Sequence, residues 1–345
     1  MTSAPSFKEQ PVTGDGPVRT RTDRRWLIGV WVVVALFAAI TVAWSIHVDV
    51  PIRDPNGRMF VRRLVLSLGL FAAFCALDAG YRLRSSRLTA ARFAETIRTK
   101  WTGPRLLIAV TGLLAYHLVY LLYHNLKSWV VFQDVQDDRL LRLDAWMLGG
   151  HSPAALLHDL LGQQVAAHVL AGVYEAFSYL VTVSFVACVV FSRQIRNGYV
   201  FLTSAIWTWI LGAGAYYLIP SLGPFASAPE EFAGLSRTFI DSRQANLLAD
   251  RAHLLQHPEA GDAFASIGAF ASLHVGFTFM ILLMMRYYGF RRATQAMTVF
   301  LIGTIVATLY FGYHFIIDDI AGLLLGYLAV VLGRRTVFPR GRPSP

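Results

Sequence analysis

An all-α polytopic membrane bundle of about eight transmembrane helices is what this sequence predicts. Three observations carry the prediction. Of 345 residues, 55% are hydrophobic and 15% charged, where a soluble domain is about a quarter charged. The apolar residues gather into runs of about 20, the length a helix needs to cross a bilayer. In lipid every backbone polar group must be satisfied internally, so such runs are helices.

Residues 1–25 are polar, carry Pro and Gly, and read as a disordered tail. The first run, 26–47, follows the basic residues of that tail. It is too long for a signal-peptide core and no small-x-small cleavage site follows, so it reads as an uncleaved anchor. The second run, 61–81, pairs with it through a loop carrying Arg53, Asp54, Pro55 and Gly57. Residues 85–100 alternate cationic and apolar side chains as an amphipathic helix on the membrane surface does. Further runs lie at 104–124, 165–191, 199–219, 268–288, 295–312 and 315–333. The last two nearly touch, and Gly312 with the polar residues after it marks the break. The stretch from Leu140 to Leu161 is partly apolar but interrupted by Asp144, His151 and Asp159, so it reads as interfacial. Loop 220–267 carries Glu230, Glu231, Asp241, Asp250, Glu259 and Asp262 and has the length of a lid or binding loop. There is no internal repeat.

Lys and Arg set the orientation. With the N-terminus in the cytoplasm, 21 of the 31 basic residues fall on cytoplasmic segments and 10 outside. That asymmetry puts both termini in the cytoplasm of a plasma-membrane protein and loops 125–164, 220–267 and 312–314 outside. The net charge of +10 then follows from this bias and from anionic headgroups, and nucleic acid is not an expected partner. Cys75 and Cys188 lie in different apolar runs and read as core residues without a disulfide.

Chemistry gathers at two histidines. His314 and Asp318 are four residues apart at the start of the last run, on one helix face. A carboxylate there can fix the imidazole tautomer and leave the other ring nitrogen free as a nucleophile. Ser272 and His274 stand at the outer end of the sixth run. Helix N-terminal N–H groups favour a phosphate there, the serine hydroxyl adds a donor, and His274 is placed as general acid and base. Each motif is weak alone; both falling at the same predicted membrane face is what carries weight, since ionisable residues in spans are costly. His117 and His124, seven apart on one face, permit a haem reading, but no other span offers a matching pair. His151, His158 and His168 match no compact metal-ligand spacing. Glu175, within the fourth run, either contacts a polar acceptor or bonds a neighbouring helix. Asp78 and Arg82 read as a helix-end ion pair.

These residues resemble the PAP2 (type 2 phosphatidic acid phosphatase) superfamily. The branch they resemble is that of inositol phosphorylceramide synthase, an inositolphosphotransferase, with Ser272-Leu273-His274 and His314-Phe315-Ile316-Ile317-Asp318 as its two motifs. Leu143-Asp144-Ala145-Trp146-Met147-Leu148-Gly149-Gly150-His151-Ser152-Pro153 and Tyr217-Leu218-Ile219-Pro220-Ser221-Leu222-Gly223-Pro224-Phe225 are also similar to it. The resemblance covers about 104–333, a six-helix core. It leaves 26–103 as two extra helices with the amphipathic segment, and 334–345 as a basic cytoplasmic tail.

The resemblance implies lipid metabolism through a phosphohistidine on His314, oriented by Asp318, with His274 as acid and base, and no metal or cofactor. A lipid phosphoester is the implied donor; water, a polyol or a lipid hydroxyl is the acceptor. The Lys-x6-Arg-Pro motif of other members is absent, the arginine expected six positions before the nucleophile falls at Thr308, and Ala271 replaces a proline. No phosphate-binding cation can therefore be carried over. Lys127, Arg237 and Arg243 are the outward-facing candidates, with Ser272 and Glu175 as further substrate contacts. The competing readings are a transporter, which the lack of a repeat disfavours, and a catalytically inactive protein of this fold.

Overall fold

The computed structural model describes residues 25–85 and 89–341. The N-terminal tail to residue 24 and the last four residues lie outside that range. Among the described residues the chain is all-helical, with no strand.

The first two helices, α1 (Arg25–Val48) and α2 (Val61–Arg82), match the first two apolar runs. The exposed amphipathic helix α3 (Ala90–Lys100) is capped by Thr89, whose hydroxyl accepts the Arg92 N–H. It leads into α4 (Gly103–Trp129), which runs five residues further than the apolar pattern. The interfacial stretch splits into α5 (Asp137–Met147) and α6 (Pro153–Leu161), because Gly149 and Gly150 both take positive φ. Helices α7 (Val165–Phe191) and α8 (Ile195–Leu218) follow, then the short α9 (Pro224–Ser227) and α10 (Phe239–Gln256) in the long loop. The chain closes with α11 (Leu273–Tyr287), α12 (Arg291–Tyr310) and α13 (Ile316–Val337).

Among the described residues, seven helices are long and apolar enough to cross a membrane: α1, α2, α4, α7, α8, α12 and α13. The predicted span at 268–288 is corrected. Its helix is only the 15 residues of α11, about 22 Å at 1.5 Å per residue against a hydrocarbon core of about 30 Å. Residues 268–272 are apolar but not helical. Ser272 ends the approach: its hydroxyl accepts the Val275 N–H and its own N–H donates to the Asp318 carbonyl at 2.9 Å. The N-terminus of α11 is thereby set level with the first turns of α13.

Helix α8 is the axis, buried on nearly every side and packed against α4, α7, α11 and α13. The N-terminal pair flanks it, α1 against α4 and α13, α2 against α4 and α7. On α1, Ile28, Val32, Leu36 and Ile40 form an exposed stripe at four-residue spacing, as a lipid-facing surface does. The basic end of the bundle is stapled by side chains. Arg105 donates to the Ser192 carbonyl at 2.8 Å, Arg196 to that of Val337 at 2.8 Å, and Asp78 pairs with both Arg82 (2.8 Å) and Lys100 (2.9 Å).

The opposite end is built from loops pinned by buried acids. Asp137 accepts the N–H groups of Leu222 (3.0 Å) and Gly223 (2.8 Å). Ser221 ties this loop to the approach of α11, its hydroxyl accepting the Phe270 N–H at 3.1 Å. Asp144 accepts the Ile316 N–H at 3.2 Å, closing the free N-terminus of α13. Arg53, in the α1–α2 loop, reaches across to the carbonyls of Ala263 (2.9 Å) and Pro258 (2.6 Å).

Candidate active site

His314 sits in the turn between α12 and α13, which Gly312 makes possible with a φ of 65°. Ring and partner are buried, His314 to 5% exposure and Asp318 to 0%. Nδ1 of His314 stands 3.5 Å from Oδ2 of Asp318. That is longer than a hydrogen bond, and the same oxygen accepts the Phe315 N–H at 2.9 Å. The carboxylate is thus fixed by backbone and faces the ring, a contact of the kind that tightens when substrate binds. Burial pushes the imidazole of His314 down to about 4.

His274, in the first turn of α11, is held by rings rather than by hydrogen bonds. Tyr174 stacks on it at 4.3 Å and Phe177 lies at 4.3 Å on a tilted plane. Tyr174 also stacks on Tyr313 at 4.6 Å, so one ring of α7 sets both histidine-bearing turns. The two imidazoles lie 5.9 Å apart, centre to centre. Both line one cavity of about 180 Å³, with Lys127, His124, Tyr216 and Trp209 opposite.

Lys127 is brought to the histidines: it lines the same cavity, with Nζ 5.0 Å from the Tyr216 ring centre. Among the described residues it forms no ion pair. Arg243 and Glu175, predicted as separate contacts, pair with each other at 2.6 Å across α10 and α7. They sit at the rim, Arg243 one turn from the lining Leu247 and Glu175 beside Tyr174. Arg237 is exposed and lines no part of the cavity. Ser272 is fully buried and its hydroxyl is committed to capping α11, so it does not face the cavity.

Thr308, where an arginine was expected, is also closed off. Its hydroxyl lies 3.0 Å from Oδ2 of Asp319, and both residues are buried. Asp144, a motif residue without a derived role, is the N-terminal cap of α13, and burial pushes its carboxyl up to about 7. His117 is satisfied by Leu113 O at 2.7 Å and Ser67 Oγ at 3.1 Å, which leaves no free ring nitrogen for haem. The ring shelf of Tyr174 and Phe177 went unpredicted; its signal was two aromatics three apart, around Glu175 in an apolar span. The rest of the polar face of α4 beside the predicted Lys127, at Tyr120, Tyr123 and His124, was missed as part of the site, although its spacing is helical.

A buried nucleophile, a second imidazole and an unneutralised cation around one cavity can bind and transfer a phosphoryl group. A family model described as the PAP2 superfamily matches residues 138–332. No curated protein and no solved structure matches the chain.

Proposed function

The chain belongs to the PAP2 superfamily, and from that membership and the cavity we propose that it moves the phosphoryl-bearing group of a lipid phosphoester through a phosphohistidine. The lone pair of His314 Nε2 attacks phosphorus, and a P–N bond forms as the ester P–O bond breaks. Asp318 holds Nδ1–H and balances the positive ring. His274 gives its proton to the leaving oxygen, then takes one from the incoming hydroxyl, whose oxygen re-forms P–O as P–N breaks. Lys127 holds the phosphoryl oxygens. The observation that carries this reading is the pair of imidazoles 5.9 Å apart on a cavity whose half-buried lysine has no carboxylate. Such a cation is costly unless an anion joins it.

The basic-residue asymmetry supports an extracytoplasmic site in the plasma membrane. The motif resemblance to the inositolphosphotransferase branch supports transfer to a polyol or a lipid hydroxyl over hydrolysis. Purified protein in mixed micelles, given labelled lipid phosphates with and without alcohol acceptors, tests the proposal by mass spectrometry of the products. A new phosphodiester marks a transferase and free phosphate alone a phosphatase. His314→Ala is expected to abolish both while the protein stays folded. His274→Ala is expected to cost about 10²–10⁴-fold on poor leaving groups and far less on good ones. Turnover that survives His314→Ala would refute the phosphohistidine.

A further inference from the structure

His124 lies on the floor of the histidine cavity, one turn deeper than Lys127. Both of its ring nitrogens are shielded and neither has a hydrogen-bond partner. Two buried histidines, His117 and His158, behave differently. His117 bonds through both nitrogens, and His158 Nε2 lies 2.8 Å from the Tyr310 carbonyl. The ring of His124 is instead set by aromatic edges, Tyr120 at 4.3 Å and Tyr123 at 4.8 Å. Packing fixes its orientation without meeting its polar atoms. A buried polar group left unmet is expensive, so it marks a place where a ligand belongs.

The chemistry of the missing partner follows from the ring. A neutral imidazole offers one N–H and one lone pair. Phosphoryl oxygens of an ionised ester accept but do not donate, so they can satisfy only the N–H. The lone pair needs a donor, and a hydroxyl supplies one. The face Tyr120, Tyr123, His124 and Lys127 follows i, i+3, i+4, i+7 spacing, and all four residues line the cavity opposite His274 and His314. The lysine stands nearest the site end of α4 and the histidine below it. All four lie before the family match, which begins at residue 138.

We infer that His124 is the subsite for a second hydroxyl of a polyol acceptor, the alcohol that takes the phosphoryl group from His314. The inference rests on the phosphotransfer reading above. In the second step the alcohol oxygen forms P–O as P–N breaks, and its proton passes to His274. A neighbouring hydroxyl of the same alcohol donates to the lone pair of His124 and holds the acceptor in the cavity against water.

The test uses the full chain in mixed micelles, as wild type, His124→Phe and His124→Gln. Labelled lipid phosphates are supplied with glycerol or myo-inositol, and the ratio of phosphodiester to free phosphate is read. Phe keeps the ring shape in an aromatic box, and Gln restores a donor and an acceptor. The ratio is expected to fall about tenfold or more in His124→Phe and to recover in part in His124→Gln. Equal ratios in all three proteins, or a changed donor KM with the ratio intact, would overturn the assignment. A second readout does not need turnover: thermal unfolding with metavanadate, a phosphoryl mimic, and with each alcohol. Vanadate that fails to stabilise wild type would sink the phosphotransfer reading. An alcohol-dependent shift present in wild type and absent in His124→Phe would still uphold the subsite, and identical shifts would remove it.

Discussion

Burial decides the protonation of His314. The ring lies in the turn between two spanning helices at 5% exposure, and desolvation penalises its cation, lowering it from 6.5 to about 4. Above about pH 4 the lone pair is therefore free. The acid limb of kcat/KM is expected well below the ordinary imidazole range, in a profile taken from pH 3.5 to 8; a limb at 6.5 would contradict a buried nucleophile. Lys127 has the opposite character, a cation retained without a carboxylate. Lys127→Met is expected to lower kcat/KM by about 10²–10³-fold yet raise the unfolding temperature in detergent, because the unpaired charge is gone. A solvated surface lysine would change neither. The histidines and Asp318 were legible because four-residue spacing and motif identity survive without coordinates. The pairing of Arg243 with Glu175 was not, since the two lie 68 positions apart and only packing of α10 on α7 brings them together. Ser272 was expected to donate to a phosphate, whereas the structure buries it fully, off the cavity lining, as the cap of α11.

The distance between the two histidines is set by how closely α11 and α13 approach. A Cβ on Gly322 would run into the Ser272 carbonyl, and one on Gly326 into the Gly276 carbonyl. The Gly322-Leu-Leu-Leu-Gly326 spacing puts both on one face, the small-residue contact that lets helix backbones touch in lipid. Ser272 N–H to Asp318 O then locks the register at the histidine end. Gly322→Ala is expected to force the helices apart, destabilising the protein by about 1–3 kcal/mol and lowering kcat more than KM is raised. Gly69→Ala, on α2 with open space around it, serves as the control, and equal effects at both positions would refute the close-contact argument. Hydropathy located α7 to the residue but overextended α11, because an apolar window counts residues 268–272 without seeing the cap that ends them. It also stopped α4 short, because Asn125 and Lys127 are polar. Their helix continues because Asn125 hydrogen-bonds the Arg53 backbone, accepting its N–H at 2.8 Å and donating to its carbonyl at 2.9 Å.

The bundle has two unlike ends, and the difference sorts the remaining questions. Arginines staple the end that holds α3 and the α7–α8 turn, while acids at Asp137 and Asp144 pin the histidine end. The all-helical architecture was legible because composition and run length follow from the solvent. The cavity was not, since it is made by loops 220–223 and 266–270 folding over α4 and α7, and no local pattern specifies that closure. The charge asymmetry makes a prediction about the ends that geometry alone does not decide. Cys75 and Cys188 form no disulfide and can be replaced by Ala to give a thiol-free background. Single cysteines are then placed at Ser242 on α10 and at Glu95 on α3, both exposed and at opposite ends. With a membrane-impermeant maleimide on intact cells, Ser242→Cys is expected to label at once and Glu95→Cys only after permeabilisation. That result would put the histidines within reach of donors and alcohols in the outer leaflet. The reverse pattern would move the whole reaction to cytoplasmic lipids, because both histidines lie on the α10 side of the bundle.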